Sequence, residues 1–241
     1  MYDITNEYAD YNIDGDEIAR YDKKRRGQEL TFSRRAEDEF ISNYITLKNR
    51  DDIYEGEADG YEGDRDQYYE DKFKESPYMK DYYPKTPEER RKENFGVTRS
   101  ITLGRVLDSR DNVYDPHEGK RISYSIEHAG FMGGDFDFTK FTADYRYYYR
   151  AGGESVWALN LGAGYADGDM PLSQRFSMGG SDTLRGYEDD QFRGNSMVKA
   201  TLEYRFPIVK KVQGVLFTDN GYAWDKRFED EFDFGLIKNS F

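Results

Sequence analysis

The sequence predicts an all-β chain built as part of an antiparallel transmembrane β-barrel, and three observations carry that prediction. From Phe95 onward, segments of about ten residues alternate apolar with polar side chains, the period of a strand with two unlike faces. Aromatic residues, 22 Tyr, 16 Phe and 2 Trp, crowd a chain with 34% charged residues and a mean hydropathy of -1.00, whereas disordered segments are poor in rings. Connections are of two kinds: compact turns at 108–119 and 150–154, long loops at 55–94 and 167–196. Membrane barrels carry short turns at one rim and long loops at the other. No run approaches the roughly 18 apolar residues of a membrane helix, and membrane strands need none.

In chain order, residues 28–34, 40–50 and 95–107 read as strands with weak alternation. In 121–128, Ile122, Tyr124, Ile126 and His128 interleave with Arg121, Ser123, Ser125 and Glu127. Residues 139–149 set Phe141, Ala143, Tyr145, Tyr147 and Tyr149 against Lys140, Thr142, Asp144 and Arg146. Residues 157–165 set Trp157, Leu159, Leu161, Ala163 and Tyr165 against Ala158, Asn160, Gly162 and Gly164. In 198–208, Val198, Ala200, Leu202, Tyr204, Phe206 and Ile208 alternate with Lys199, Thr201, Glu203 and Arg205. The alternation sends Phe141, Tyr145, Trp157, Leu161, Leu202, Tyr204 and Phe206 outward, and Lys140, Asn160, Glu203 and Arg205 into the lumen. Residues 215–224 are less regular, because Asp219 shares a face with Val215 and Phe217. A β-sandwich also alternates, but it has no use for Tyr145, Tyr147, Tyr148 and Tyr149 gathered near a strand end; an aromatic girdle does.

Charge narrows the function. The net charge is -13, and residues 1–95 hold 17 basic and 26 acidic groups against 18 and 22 in 96–241. That balance argues against nucleic acid, whose partners present basic patches. Between residues 55 and 70 seven acidic residues face one basic one, Arg65, a composition that suits a solvated surface loop. Without cysteine there is no disulfide framework, thiolate metal site or cysteine nucleophile. Asn12, Asp14, Gly15 and Asp16 open like a calcium loop, but the sharp-turn position is Glu17 rather than glycine. Gly162, Gly164 and Gly168 miss the dinucleotide spacing, and Ser181 lacks the glycine of a nucleophile elbow. His117 and His128 make neither a triad nor a histidine-rich metal site. The expectation is a protein with no catalytic residues, no metal and no cofactor.

The loop 167–196 holds F-S-M-G-G-S-D-T-L-R-G-Y from Phe176 to Tyr187, followed by L-E-Y-R-F-P-I from Leu202 and F-T-D-N-G from Phe217. With the D-S-R-D-N and P-H-E-G turn sequence at 108–119, these motifs resemble the BamA/TamA-like outer-membrane β-barrel assembly family, the surface-antigen barrels that also include the two-partner secretion transporters. A G-G-x-x-x-(V/L/I)-R-G-(F/Y) loop and a later F-x-D-x-G strand are the shared signatures. The resemblance covers nearly the whole chain.

It implies that the loop folds back into the barrel lumen. Gly179, Gly180, Leu184, Arg185, Gly186 and Tyr187 would form its tip, and Arg185 would meet an acidic group on the wall. Glu203 lies on the polar phase of its strand and Asp219 is the one carboxylate of its own, so either could take a bidentate guanidinium; Gly221 completes the wall motif. Aligned this way, the chain corresponds to about strands six to fourteen of sixteen, an incomplete barrel that does not close on its own, with 232–241 beginning the last of these. Residues 1–26 would be an extracellular loop and 27–241 the partial barrel, with 55–94 outside the membrane at the rim of the Arg185 loop. A parent protein carrying periplasmic POTRA repeats is expected, since an open sheet edge is not tolerated in hydrocarbon. The implied function is insertion of β-barrel proteins into the outer membrane of a diderm bacterium. Unfolded outer-membrane clients, membrane lipid and accessory assembly lipoproteins would be its partners. A two-partner-secretion export pore and a passive porin or adhesin barrel are the alternatives.

Overall fold

Strands that alternate over ten or more residues can satisfy their backbone only by pairing with neighbours, and short turns make those neighbours antiparallel. The computed structural model describes residues 2–11, 17–36, 40–57, 95–210, 212–224 and 237–241. Its strands are β1 (Tyr2–Tyr11), β2 (Glu17–Arg35), β3 (Ile41–Glu57), β4 (Gly96–Asp108), β5 (Gly119–Gly130), β6 (Gly133–Gly152) and β7 (Ser155–Asp169), then β8 (Phe176–Met178), β9 (Phe192–Gly194), β10 (Ser196–Val209), β11 (Val212–Trp224) and β12 (Lys238–Ser240). Ten of them form one antiparallel sheet in the order β1-β2-β3-β4-β5-β6-β7-β10-β11-β12, with β1 and β12 at its edges. The sheet is open, as expected of part of a barrel. β8 and β9 pair only with each other, so β7 pairs directly with β10 and the chain between them folds as a separate unit on the sheet.

The faces separate as the alternation requires. Leu30, Phe32, Ile45, Leu103, Phe141, Trp157, Leu161 and Leu202 are exposed on the convex side. Lys140, Glu203 and Arg205 point to the opposite face, where the loop between β7 and β10 covers them. Register fixes these phases across the sheet: Leu202 stands opposite Leu159, and Glu203 opposite Ala158. The loop's apolar side packs in two clusters against the sheet. One is Ala129, Phe136, Phe138, Ala166, Met170 and Phe176; the other is Met178, Leu184, Phe192 and Ala223.

Three expectations need correction or qualification. Residues 1–26, expected as an extracellular loop, carry a strand pair: β1 pairs with the first part of β2 from Tyr2 opposite Gly27 to Tyr11 opposite Glu17. A strand of this kind needs only its backbone partners, so the dense Lys, Arg, Asp and Glu of this stretch conceal it from a search for an apolar face. Tyr148 does not join the girdle. It lies on the inward phase with Arg146, buried at 8% exposure beside Val156 and Ala158, while Tyr147 and Tyr149 remain exposed. In the last segment, 232–236 lie outside the described residues, as do 58–94 and 12–16, and β12 is seen only at Lys238–Ser240.

In the turn at 109–118, Asp111 gathers three backbone donors. Asp111 accepts backbone N–H bonds from Asn112 and His117 at 2.9 Å each and from Glu118 at 3.2 Å. These donors, that of His117 first, hold its carboxyl below the usual range.

Candidate functional site

Residues 170–195 run across the concave face of the sheet, and polar contacts to charged residues of the wall fasten them at two places. At the first, Gly179 and Gly180 turn the chain through backbone angles closed to other residues, with φ of 119° and 84°. A Cβ at Gly179 would strike the backbone oxygen of Glu188. Thr183 closes the turn, its hydroxyl donating to the Gly179 carbonyl at 2.7 Å and accepting the Gly179 N–H at 2.9 Å. Leu184, with no exposed surface, anchors the turn in the cluster of Met178, Phe192 and Ala223. The next residue, Arg185, is thereby aimed at the wall.

Arg185 donates through Nε to Asp219 Oδ2 at 2.7 Å and through Nη2 to Asp219 Oδ1 at 2.8 Å, a bidentate pair. Its backbone N–H adds a third bond to Asp219 Oδ2 at 3.2 Å. Its remaining nitrogen, Nη1, reaches Glu203 Oε1 at 2.9 Å. Both acidic wall residues therefore contact it. Arg205 donates to the other oxygen of Glu203 at 2.7 Å, so each carboxylate oxygen of Glu203 has a cation. The Asp219 side chain is 2% exposed and that of Arg185 26%. Tyr187 packs edge-on against Phe192 and its hydroxyl donates to the Asn239 carbonyl at 3.5 Å. Gly186, at φ 87°, passes close to Ser240.

The F-x-D-x-G strand acquires a physical reading position by position. Phe217 lies under the Arg185 guanidinium at 3.5 Å, a cation–π contact that explains why an aromatic ring shares a face with Asp219. Gly221 leaves the room that Met178 occupies; a Cβ there would collide with the end of that side chain. The irregular phase of 215–224 was the sequence signal for Phe217, although nothing in the sequence tied it to Arg185.

The second fastening was not visible in the sequence. Ser173 donates to Asp52 Oδ2 at 2.8 Å and accepts from Arg50 at 3.3 Å, while Arg25 binds Asp52 Oδ1 at 2.7 Å. Asp52 is 2% exposed. Gln174 donates to Thr98 at 2.7 Å, and its own carbonyl accepts from Lys140 at 2.6 Å. Ser173 and Asp52 are 121 residues apart in the chain, and neither belongs to a short motif. The loop is thus tied to β3, β4 and β6 at one end and to β10 and β11 at the other.

An open antiparallel sheet with an apolar convex face, a polar concave face and an inward-folded loop clamped by arginine defines a class: a transmembrane barrel of the outer membrane with an occupied lumen. The chain belongs to the Omp85 superfamily, whose domain model matches residues 3–240. It is similar to the outer membrane protein assembly factor BamA of Nitratidesulfovibrio vulgaris, 28% identical over 170 residues that make up 63% of this chain and 21% of that protein. In fold it is similar to BamA from Haemophilus ducreyi, with a TM-score of 0.65 at 20% identity over 87% of this chain and 43% of that one. It is also similar to CdiB from Acinetobacter baumannii, with a TM-score of 0.56 at 16% identity over 92% of this chain and 36% of that one. The chain therefore spans about a fifth of the matching curated relative's length.

Proposed function

We propose that the protein works in the insertion of β-barrel proteins into the outer membrane of a diderm bacterium, by physical rather than covalent means. Unfolded barrel clients and membrane lipid are its partners, with accessory assembly lipoproteins beside them. The observation that supports this most is the Arg185 clamp: a guanidinium with both chelating nitrogens on one buried carboxylate and its third on another, presented by a loop with the family's G-G-x-x-x-L-R-G-Y signature. Gly179, Gly180, Leu184, Gly186 and Tyr187 position the loop, and Glu203, Asp219 and Gly221 receive it.

The chemistry of the clamp suits a brace. A loop crossing a water-filled lumen cannot rely on burial alone, because only its wall-facing side is packed and burial has no direction; charge-assisted hydrogen bonds supply directional contacts that fix its position. A braced lumen keeps the wall strands in register while strain and strand exchange take place elsewhere in the barrel. Incoming clients would add by edge pairing, aided by local thinning of the bilayer.

The test is client insertion into lipid vesicles by full-length protein carrying Arg185→Ala. Slower insertion at equal barrel abundance is expected, and a wild-type rate would remove the reading. An export pore is the second reading, kept by the fold likeness to CdiB over 92% of the chain. It predicts that the same variant instead impairs the release of one exported protein while leaving barrel insertion unchanged.

A further inference from the structure

The convex face is apolar over most of its width, yet arginines stand on it; Arg99 is hydrogen-bonded to Asn49 and Met132 toward the long-loop end, whereas Arg34 and Arg105 lie toward the short turns. Arg34 pairs across the sheet with Asn43, Asn43 with Arg105, and Arg105 with Tyr124, so the four share one row and one face. That face also holds Phe32 and Ile45 in the next row on one side, and Ile41, Leu107 and Ile122 in the next on the other. No hydrogen bond or ion pair engages either guanidinium among the described residues. On a lipid-facing surface an uncompensated cation is costly unless it reaches headgroups or meets an anion.

The row continues as a groove. Tyr124 stands opposite Ala143, Ala143 opposite Ala163 and Ala163 opposite Val198, a floor of small side chains. Phe141 and Tyr165 rise on one side of this floor. The groove has a volume of about 750 Å³, with Asn43 and Arg105 at one end and Trp224 at the other.

Its direction is set by strand tilt. Arg105 lies three residues from the short-turn end of β4 at Asp108, Ala143 nine from that of β6 at Gly152, and Val198 eleven from that of β10 at Val209. At about 4.8 Å per strand, the groove runs roughly 19 Å across the sheet from Arg105 to Val198, starting near the short-turn rim and rising obliquely into the apolar band. A cationic mouth near one membrane surface and an apolar floor rising from it have the polarity of a phospholipid in the adjacent leaflet.

We propose that this groove seats one anionic phospholipid. Its phosphate sits between Arg34 and Arg105, which two strand spacings hold about 10 Å apart at the backbone, a gap that two long side chains can close on one anion. Asn43 and Tyr124 contribute neutral hydrogen-bonding groups beside it, and an acyl chain lies over Ala143 and Ala163. The anion supplies the counter-charge that the wall does not.

The experiment is native mass spectrometry of the full-length protein released from detergent in the presence of phosphatidylglycerol, with diacylglycerol of the same chains as the headgroup-free arm. One phosphatidylglycerol is expected to survive activation that strips the others. Arg105→Gln and Arg34→Gln are each expected to lower its apparent affinity about tenfold, the loss of one charge-assisted contact. Ala163→Phe, which fills the floor and leaves both charges in place, is expected to lower it as well, and Arg105→Lys to retain most of it. Folding of each variant is read from its heat-modifiable electrophoretic mobility. A ladder of equally labile lipids, equal retention of diacylglycerol, or retention unchanged in a folded Arg105→Gln protein would each overturn the proposal. The Arg185 clamp is untouched in all these variants, so the outcome is independent of the insertion function.

Discussion

Arg185→Lys is the substitution that separates charge from geometry at the clamp. Lysine keeps the positive charge but offers one ammonium where the guanidinium uses three nitrogens: two on Asp219 at 2.7 and 2.8 Å and one on Glu203 at 2.9 Å. It also gives up the flat contact with Phe217. Breaking a buried pair outright costs about 3–5 kcal/mol, and the partial exposure of Arg185 places alanine at the lower end, about 3 kcal/mol. Lysine recovers one contact, so its expected cost is about 2 kcal/mol, or roughly thirtyfold in the population of the released loop. Trypsin reads that population, because Arg175 and Arg193 flank the loop tip and become substrates when it leaves the wall. When opening and closing are fast relative to cleavage, the cleavage rate follows the open fraction. The expected result is cleavage about thirtyfold faster at Arg193 in the lysine variant, and faster still in Arg185→Ala. A lysine variant cut at the wild-type rate would show that charge alone holds the loop and that the fork geometry is irrelevant.

The second fastening is expected to matter comparably: Asp52→Asn, which leaves Arg25 and Arg50 without their carboxylate, should cost about 3 kcal/mol and raise trypsin cleavage at Arg175 first. Gly179→Ala should release the loop without touching an ion pair, at a cost of about 1–3 kcal/mol, since its φ of 119° is strained for alanine and its Cβ meets backbone. Gly221→Ala should cost less than Gly179→Ala, because only the flexible end of Met178 has to move; equal loop cleavage in the two variants would contradict this. The Asp111 carboxyl lies below its ordinary value in the folded turn, so its contribution is present above the unfolded aspartate range and is lost as pH falls through the folded value. Hydrogen exchange of the His117 and Glu118 amides should accordingly show protection above about pH 4 that declines below it, and Asp111→Ala should be unprotected throughout.

What the sequence made legible was what period two encodes. The strand with Leu202 and Glu203 declares both faces in eleven residues, because each apolar side chain must face lipid and each charged one the lumen. Where that rule failed, the reason was local. Tyr148 was counted by type among neighbouring tyrosines, although its even phase places it with Arg146 in the interior. β1 escaped because its one apolar phase, Tyr2, Ile4 and Tyr8, is broken by Asn6 and Asp10. Glu203, on the polar phase of its strand, and Asp219, the one carboxylate of its own, could be nominated as partners for Arg185, but the sequence left open a choice that the structure resolves by using both. Asp52 could not be nominated at all. It has no motif, and its partner Ser173 is brought to it only when the sheet curves enough for the loop to cross it.

That crossing gives the two fastenings a joint consequence. Between them lie the apolar contacts of Phe176, Met178, Leu184 and Phe192, which bury surface but do not fix direction. The directional polar contacts at the ends do fix it: the Ser173 hydroxyl bond to Asp52 holds the loop to β3 and the Arg185 ion pair holds it to β11, strands separated in the sheet by β4, β5, β6, β7 and β10. A tie across so many strands opposes flattening of the sheet as well as movement of the loop. Release at Arg185 would therefore loosen the curvature of the wall, and release at Asp52 would do the same from the other side. If the loop acts as a single brace, the costs of Arg185→Lys and Asp52→Asn add on one opening step and both cleavage sites respond to either change. If the halves open separately, each substitution exposes only its own site, Arg193 or Arg175, and a brace spanning the sheet is the wrong description.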